Sequence, residues 1–192
     1  MDVAEMFMTR QEKQQDESKQ TQHYTVADVE AMPREQRVEL IDGILYDMAT
    51  PSMTHQRIAF LLARRLADFI DEKGGDCEVF PAPFGVYLTE NERNLLEPDV
   101  IVVCNPDKLD EKGCHGAPDF VAEVVSKSSE QRDYAIKLFK YRTAGVREYW
   151  IINPMTRVVN VYRFDLEEEK GLQYSMDEEI TSEIFEGFRI LF

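Results

Sequence analysis

Four apolar residues in a row, Val100-Ile101-Val102-Val103, are followed one loop later by Phe120-Val121-Ala122-Glu123-Val124-Val125. Unbroken runs of this kind predict strands buried on both faces, so the chain must build a sheet that is covered on each side. Both strands also carry an acid. Glu97-Pro98-Asp99 stands at the mouth of the first, within LLEPDVIVVC (95–104), which reads as one strand; Glu123 sits in the middle of the second. An ionised carboxylate in apolar company is costly unless something cationic meets it.

The remaining pattern supplies the covers. PSMTHQRIAFLLARRLADFIDEKGG places Ile58, Leu61, Leu62, Leu66, Phe69 and Ile70 at helical spacing before Gly74-Gly75, which predicts a long amphipathic helix. SSEQRDYAIKLFKYRTAG predicts a second, opened by serine and closed by Gly145. TVADVEAMP reads as a short helix capped by Thr25, and RVELIDGILYDM as a hairpin around Asp42-Gly43. CEVF, FGVYL, EYWIIN, RVVNVYRF and a closing FEGFRILF read as further strands. Mixed strands with two long helices make the chain α/β or α+β. Residues 1–22, rich in Gln, Lys and Glu, read as a disordered tail that can be deleted without loss of folding, and 23–192 as a single domain.

Composition narrows the function. The net charge of −15 argues against broad affinity for nucleic acid. Only 52–73 and 118–150 escape the acidic excess, so an anionic ligand is expected there, held weakly and with a shallow salt dependence. No apolar run approaches a membrane span and no signal peptide is evident. Cys77, Cys104 and Cys114, odd in number and widely spaced, suggest neither a disulfide framework nor a zinc site and fit a reducing cytoplasm.

Glu39, Asp99 and Glu123 all stand on predicted strands at or inside apolar runs. Carboxylates converging from neighbouring strand ends suit a hard divalent cation, which takes a few carboxylate oxygens plus water. The ordered strings ELIDG, PSMTH, EPDVIVVC, GAPDFVAEVVS and RDYAIKLFKYRTAGVREYWIINP resemble the Uma family of restriction-endonuclease-like proteins, within the PD-(D/E)XK nuclease superfamily. The resemblance runs over roughly 24–192. It implies a mixed sheet flanked by helices and an endonuclease hydrolysing phosphodiester bonds of nucleic acid, DNA in the first place. It also implies Mg²⁺ or Mn²⁺ as cofactor, held by Asp99, Glu123 and Glu39. A homodimer is compatible with it, and no membrane partner is expected. The superfamily pattern asks for lysine two residues after the glutamate, where Val125 stands. The resemblance transfers that role to Lys137 on the following helix.

Each residue has a plainer reading. Asp99 would simply start a strand, and Glu39 would be a polar position on a hairpin. Asp133 lies four residues before Lys137, a surface ion-pair spacing. Lys127 reads as a solvated loop residue and Lys140 as the fallback lysine. His55, near a helix start, reads as a polar contact, and Tyr141, Tyr149 and Trp150 as core. The alternative for the whole chain is a catalytically inactive nuclease fold serving as an acidic binding or interaction module.

Overall fold

In the computed structural model, residues 23–33, 35–88, 92–164 and 170–192 are described, Lys170 by its backbone alone. The stretch 1–22 read as a tail, and most of the acidic DLEEEKG segment, lie outside them. Thr25 caps α1 (Val26–Glu30): its hydroxyl accepts the Asp28 N–H, and the Asp28 carboxylate accepts the Thr25 N–H, a reciprocal pair that satisfies two helix-end donors. β1 (Val38–Ile41) and β2 (Ile44–Asp47) form the expected hairpin. Asp42 and Gly43 at its tip both take positive φ, 52° and 80°, as a two-residue turn between twisted strands requires. α2 (Met53–Lys73) starts at Ser52, whose side chain accepts the His55 N–H, and stops at Gly74 in the left-handed conformation. Ile58, Leu62, Leu66 and Ile70 form its buried stripe.

The strands that follow are β3 (Glu78–Pro81), β4 (Gly85–Tyr87), β5 (Leu95–Leu96), β6 (Val100–Val103), β7 (Leu109–Asp110), β8 (Gly113–His115) and β9 (Phe120–Val124). After a π turn at Arg132–Lys137 and α3 (Leu138–Ala144) come β10 (Glu148–Asn153), β11 (Val158–Arg163), β12 (Lys170–Ser175), β13 (Ile180–Thr181) and β14 (Arg189–Ile190). The central sheet has the order β12-β11-β10-β9-β6-β3, and β9 with β10 is its parallel pair. A second six-stranded sheet has the order β2-β1-β5-β4-β8-β7. Strand parity sorts the core. Val100, Val102, Phe120, Ala122, Val124, Trp150 and Ile152 pack with α2, while Ile101, Val103, Val121, Val125, Tyr149 and Ile151 pack with Ile41, Val86, Leu96 and Tyr141. The central sheet is therefore covered by α2 on one face and by α3 with the second sheet on the other, an α+β arrangement. No helix among the described residues is long and apolar enough to cross a membrane.

Three expectations are corrected. LLEPDVIVVC is two strands: Leu95-Leu96 pair in the second sheet and Val100–Val103 in the central one. Between them Pro98 offers no N–H to either ladder, and Glu97-Pro98-Asp99 carries the chain from sheet to sheet. Cys77 and Cys104 form a disulfide. The β3–β6 register pairs Glu78 with Val103 and so sets the two cysteines opposite each other, a proximity that spacing in sequence does not reveal. Their count no longer speaks for a reducing compartment. The closing apolar segment pairs as a strand only at Arg189–Ile190.

Candidate active site

The register of β6 on β9 sets Val100 against Ala122. One step outward, Asp99 and Glu123 become cross-strand neighbours on the face that carries Ile101 and Val121, since directly opposed residues share a face. Asp99 Oδ2 accepts the Val124 N–H at 2.7 Å, tying the mouth of β6 to β9. The same oxygen lies 3.1 Å from His55 Nε2, brought in by the first turn of α2. Burial alone would push the His55 imidazole down; the Asp99 carboxylate outweighs it and holds the pKa above its ordinary value.

Glu39 reaches the same place from β1. Its Oε1 accepts the Glu97 N–H at 3.2 Å and stands 2.8 Å from Lys137 Nζ. Lys137 Nζ is also 2.8 Å from Glu123 Oε1 and 3.7 Å from Asp133 Oδ1, and the Tyr141 hydroxyl donates to Glu123 Oε1 at 2.8 Å. Asp133, Lys137 and Tyr141 are spaced by four. A step of four overshoots a turn of ~3.6 residues, and the wider π turn at Arg132–Lys137 takes up the overshoot, keeping the three in one row. Glu39, Glu123, Asp133 and Lys137 are all under 5% exposed, at 1%, 4%, 1% and 3%.

Burial drives the Glu123 carboxyl well above the usual carboxylate range; Lys137 opposes the rise, while Asp133, Asp99 and Glu39 add to it. Asp133 is raised for the same first reason, again against Lys137. Burial works against the Lys137 ammonium, but Glu123, Glu39 and Asp133 overcome it and lift its pKa above the ordinary lysine value. Arg132 adds a guanidinium whose Nε is 3.6 Å from Glu39 Oε2 and which lies over the Tyr46 ring. Four carboxylates thus face Lys137, Arg132 and His55. The acids are undercompensated.

These groups floor and wall a cleft of about 610 Å³, lined also by Ser126, Lys127, Ser128, Ala82, Pro83 and residues 48–52. All four residues singled out as the site in the sequence, Asp99, Glu123, Glu39 and Lys137, line it. Lys127 is exposed at its mouth. Lys140 is committed to an ion pair with Asp42 at the hairpin tip. The reading of Asp133 and Lys137 as a surface pair is corrected: both are buried, because their helix packs against the central sheet. Sequence reasoning missed Asp133, Arg132 and Tyr141 as members. The four-residue spacing of Asp133, Lys137 and Tyr141 was the available signal.

The donor set suits a hard divalent cation in type: carboxylate oxygens, a shortage of positive charge, and Asp133 Oδ1, buried and without a hydrogen-bond partner among the described residues. As the side chains stand, no three acid, His or Cys groups among the described residues form a cage for a metal; the Lys137 ammonium lies among the carboxylates instead.

The model of the family Uma2, described as "Putative restriction endonuclease", matches residues 25–191. Two uncharacterized proteins of Synechocystis sp. are each 28% identical, one over 125 residues and the other over 131. The alignments cover 65% and 67% of this chain. They span 64% of the first relative, just under two thirds of its length, and 72% of the second. Among solved structures, a putative nuclease belonging to DUF820 from Anabaena variabilis matches with a TM-score of 0.67 at 18% identity, over 84% of this chain and 90% of that one. It shares the fold.

Proposed function

The chain belongs to the Uma2 family, and from that premise we propose that it is a metal-dependent endonuclease that hydrolyses phosphodiester bonds of nucleic acid, DNA in the first place. The observation that carries the reading is the buried Glu39–Lys137–Glu123 cluster beside Asp99 at the base of an open cleft. Buried charge on this scale is costly, and it gathers where a substrate can reach it.

Asp99 and Glu123 would hold Mg²⁺ or Mn²⁺ with help from Glu39. When bound, such a cation polarises a phosphodiester and yields hydroxide near neutral pH. The chain's own groups do the rest. The carboxylates around Lys137 keep its side chain an ammonium across the physiological range, so it serves as a fixed positive charge and hydrogen-bond donor, not as a base. Its task is to orient the attacking water and to meet charge developing on the phosphoryl oxygens. His55 and the Val124 N–H hold the Asp99 carboxylate in one orientation. Tyr141 fixes Glu123 in the same way. Arg132 and Lys127, on the cleft wall, supply cations for flanking phosphates.

Wild type and the variants Asp99→Ala, Glu123→Ala and Lys137→Ala should be compared on a mixed DNA substrate with Mn²⁺. Each substitution is expected to lower the cleavage rate by about a hundredfold or more, the usual loss when a transition-state contact is removed. Wild type that binds Mn²⁺ and DNA yet leaves the DNA intact would favour the silent binding module.

A further inference from the structure

We infer that the Lys137 ammonium is the resident counter-ion of the cation site made by Asp99, Glu123 and Glu39, that Asp133 belongs to the same site, and that a divalent cation enters it by displacing the ammonium. The inference rests on the metal-dependent reading above and adds two things to it, Asp133 as a member of the site and a competitor built into the chain.

The geometry is that of a site only half satisfied by an ammonium. Nζ lies 2.8 Å from Glu39 Oε1 and 2.8 Å from Glu123 Oε1, so the oxygens it uses belong to two of the acids named above as holders of the metal. Asp133 Oδ1 is 3.7 Å away, beyond hydrogen-bond reach. That atom is buried and has no hydrogen-bond partner among the described residues, a costly state for a carboxylate oxygen. The Lys137 charge is thus spread over three buried carboxylates, and Arg132, its Nε 3.6 Å from Glu39 Oε2, adds a second cation on the Glu39 side only. A divalent ion brings twice the charge and accepts more oxygens than an ammonium, which offers three protons.

The exchange also has a route. Lys137 and Asp133 both line the cleft, so a cation reaches them from solvent and the ammonium has open volume to enter. Lysine suits the task, since its charge rides on a flexible four-carbon stem. The displaced ammonium would then stand in the cleft, where a substrate phosphate lies. A lysine that is no ligand should leave metal affinity nearly unchanged when removed. One that shares oxygens with the metal should raise that affinity by its absence.

Calorimetric titration of Mn²⁺ into wild type, Lys137→Met and Asp133→Asn tests this. Lys137→Met should bind at least tenfold more tightly than wild type, and Asp133→Asn more weakly. In parallel, amine acetylation of wild-type protein read by mass spectrometry should show Lys137 shielded without Mn²⁺ and labelled several-fold more with it. Lys127 and Lys140 serve as internal references. This second readout stands even where Lys137→Met does not fold. Equal or weaker binding by Lys137→Met, or Lys137 labelling unmoved by saturating Mn²⁺, overturns the exchange. With wild type still cleaving DNA, that result leaves the nuclease reading intact. Wild type that neither binds Mn²⁺ nor cleaves overturns both.

Discussion

Lys137 and the carboxylates around it share one charge balance, and its pH dependence follows from the direction of each shift. Glu123 and Asp133 titrate above their ordinary values because burial disfavours their charged forms. An acid with a raised folded pKa binds more protons folded than unfolded, so stability falls as pH rises from about 4, its unfolded value, through the raised one. Lys137 is raised as well. Its contribution is therefore complete below about 10.4, the unfolded lysine value, and is lost only at higher pH. Replacing Lys137 by methionine removes that contribution and leaves the buried acids facing one another. Breaking a buried pair from one side costs about 3–5 kcal/mol. The destabilisation should be near that size at pH 8 and clearly smaller at pH 5, where the acids take up protons. Urea denaturation of both proteins at the two pH values measures it. The residue-level signal in the sequence was the acid inside an apolar strand, Glu123; a second buried acid, Glu148, was not singled out there and has a different cause. Glu123 sits at the cleft, short of positive charge. Glu148, equally buried on β10, is saturated: Oε1 accepts the Trp150 Nε1–H at 2.6 Å, and Oε2 accepts the N–H groups of Glu183 at 2.7 Å and Ile184 at 3.0 Å.

Those last bonds matter for an element. The short β13–β14 pair has few ladder bonds of its own, and Glu148 ties the turn between them to the central sheet. Glu148→Ala would leave the Trp150 Nε1–H and the Glu183 N–H without their acceptor, while the Ile184 N–H keeps Ser182 Oγ at 3.2 Å. At about 1–3 kcal/mol for each buried group left unsatisfied, the loss should reach several kcal/mol unless water enters. Hydrogen exchange should show Glu183 and Ile184 opening first, while the Mn²⁺ affinity of the distant site stays at the wild-type value. Uniform exchange across the chain, with no preference for 180–192, would show that the carboxylate is no anchor. At this scale the long periodic elements were legible: α2, the Asp42-Gly43 hairpin, β6, β9, β10 and β11 lie where the apolar spacing puts them. The short strands β5, β7 and β8 were not, because two or three residues carry no period. The π turn was not either; nothing in local propensity distinguishes it from the α-helix it interrupts.

Over the whole molecule, the two covered faces of the central sheet follow from the parity of Val100–Val103 and Phe120–Val125, and the same parity brings Asp99 and Glu123 together. What sequence order could not give was the company brought by other elements: His55 from α2 on Asp99, Arg132 beside Glu39, and the Cys77–Cys104 pair from an edge register. The strongly acidic total, −15, argues against broad affinity for nucleic acid and leaves the cleft as the place where a phosphate would have to be met. Under the proposed function, Asp99 and Glu123 bind the divalent cation. Anomalous diffraction from crystals soaked in Mn²⁺ tests it directly: a peak should lie about 2.1 Å, the octahedral cation–oxygen distance, from a carboxylate oxygen of each residue. Fully occupied Mn²⁺ found only elsewhere on the surface, or no peak at saturating Mn²⁺, would contradict it.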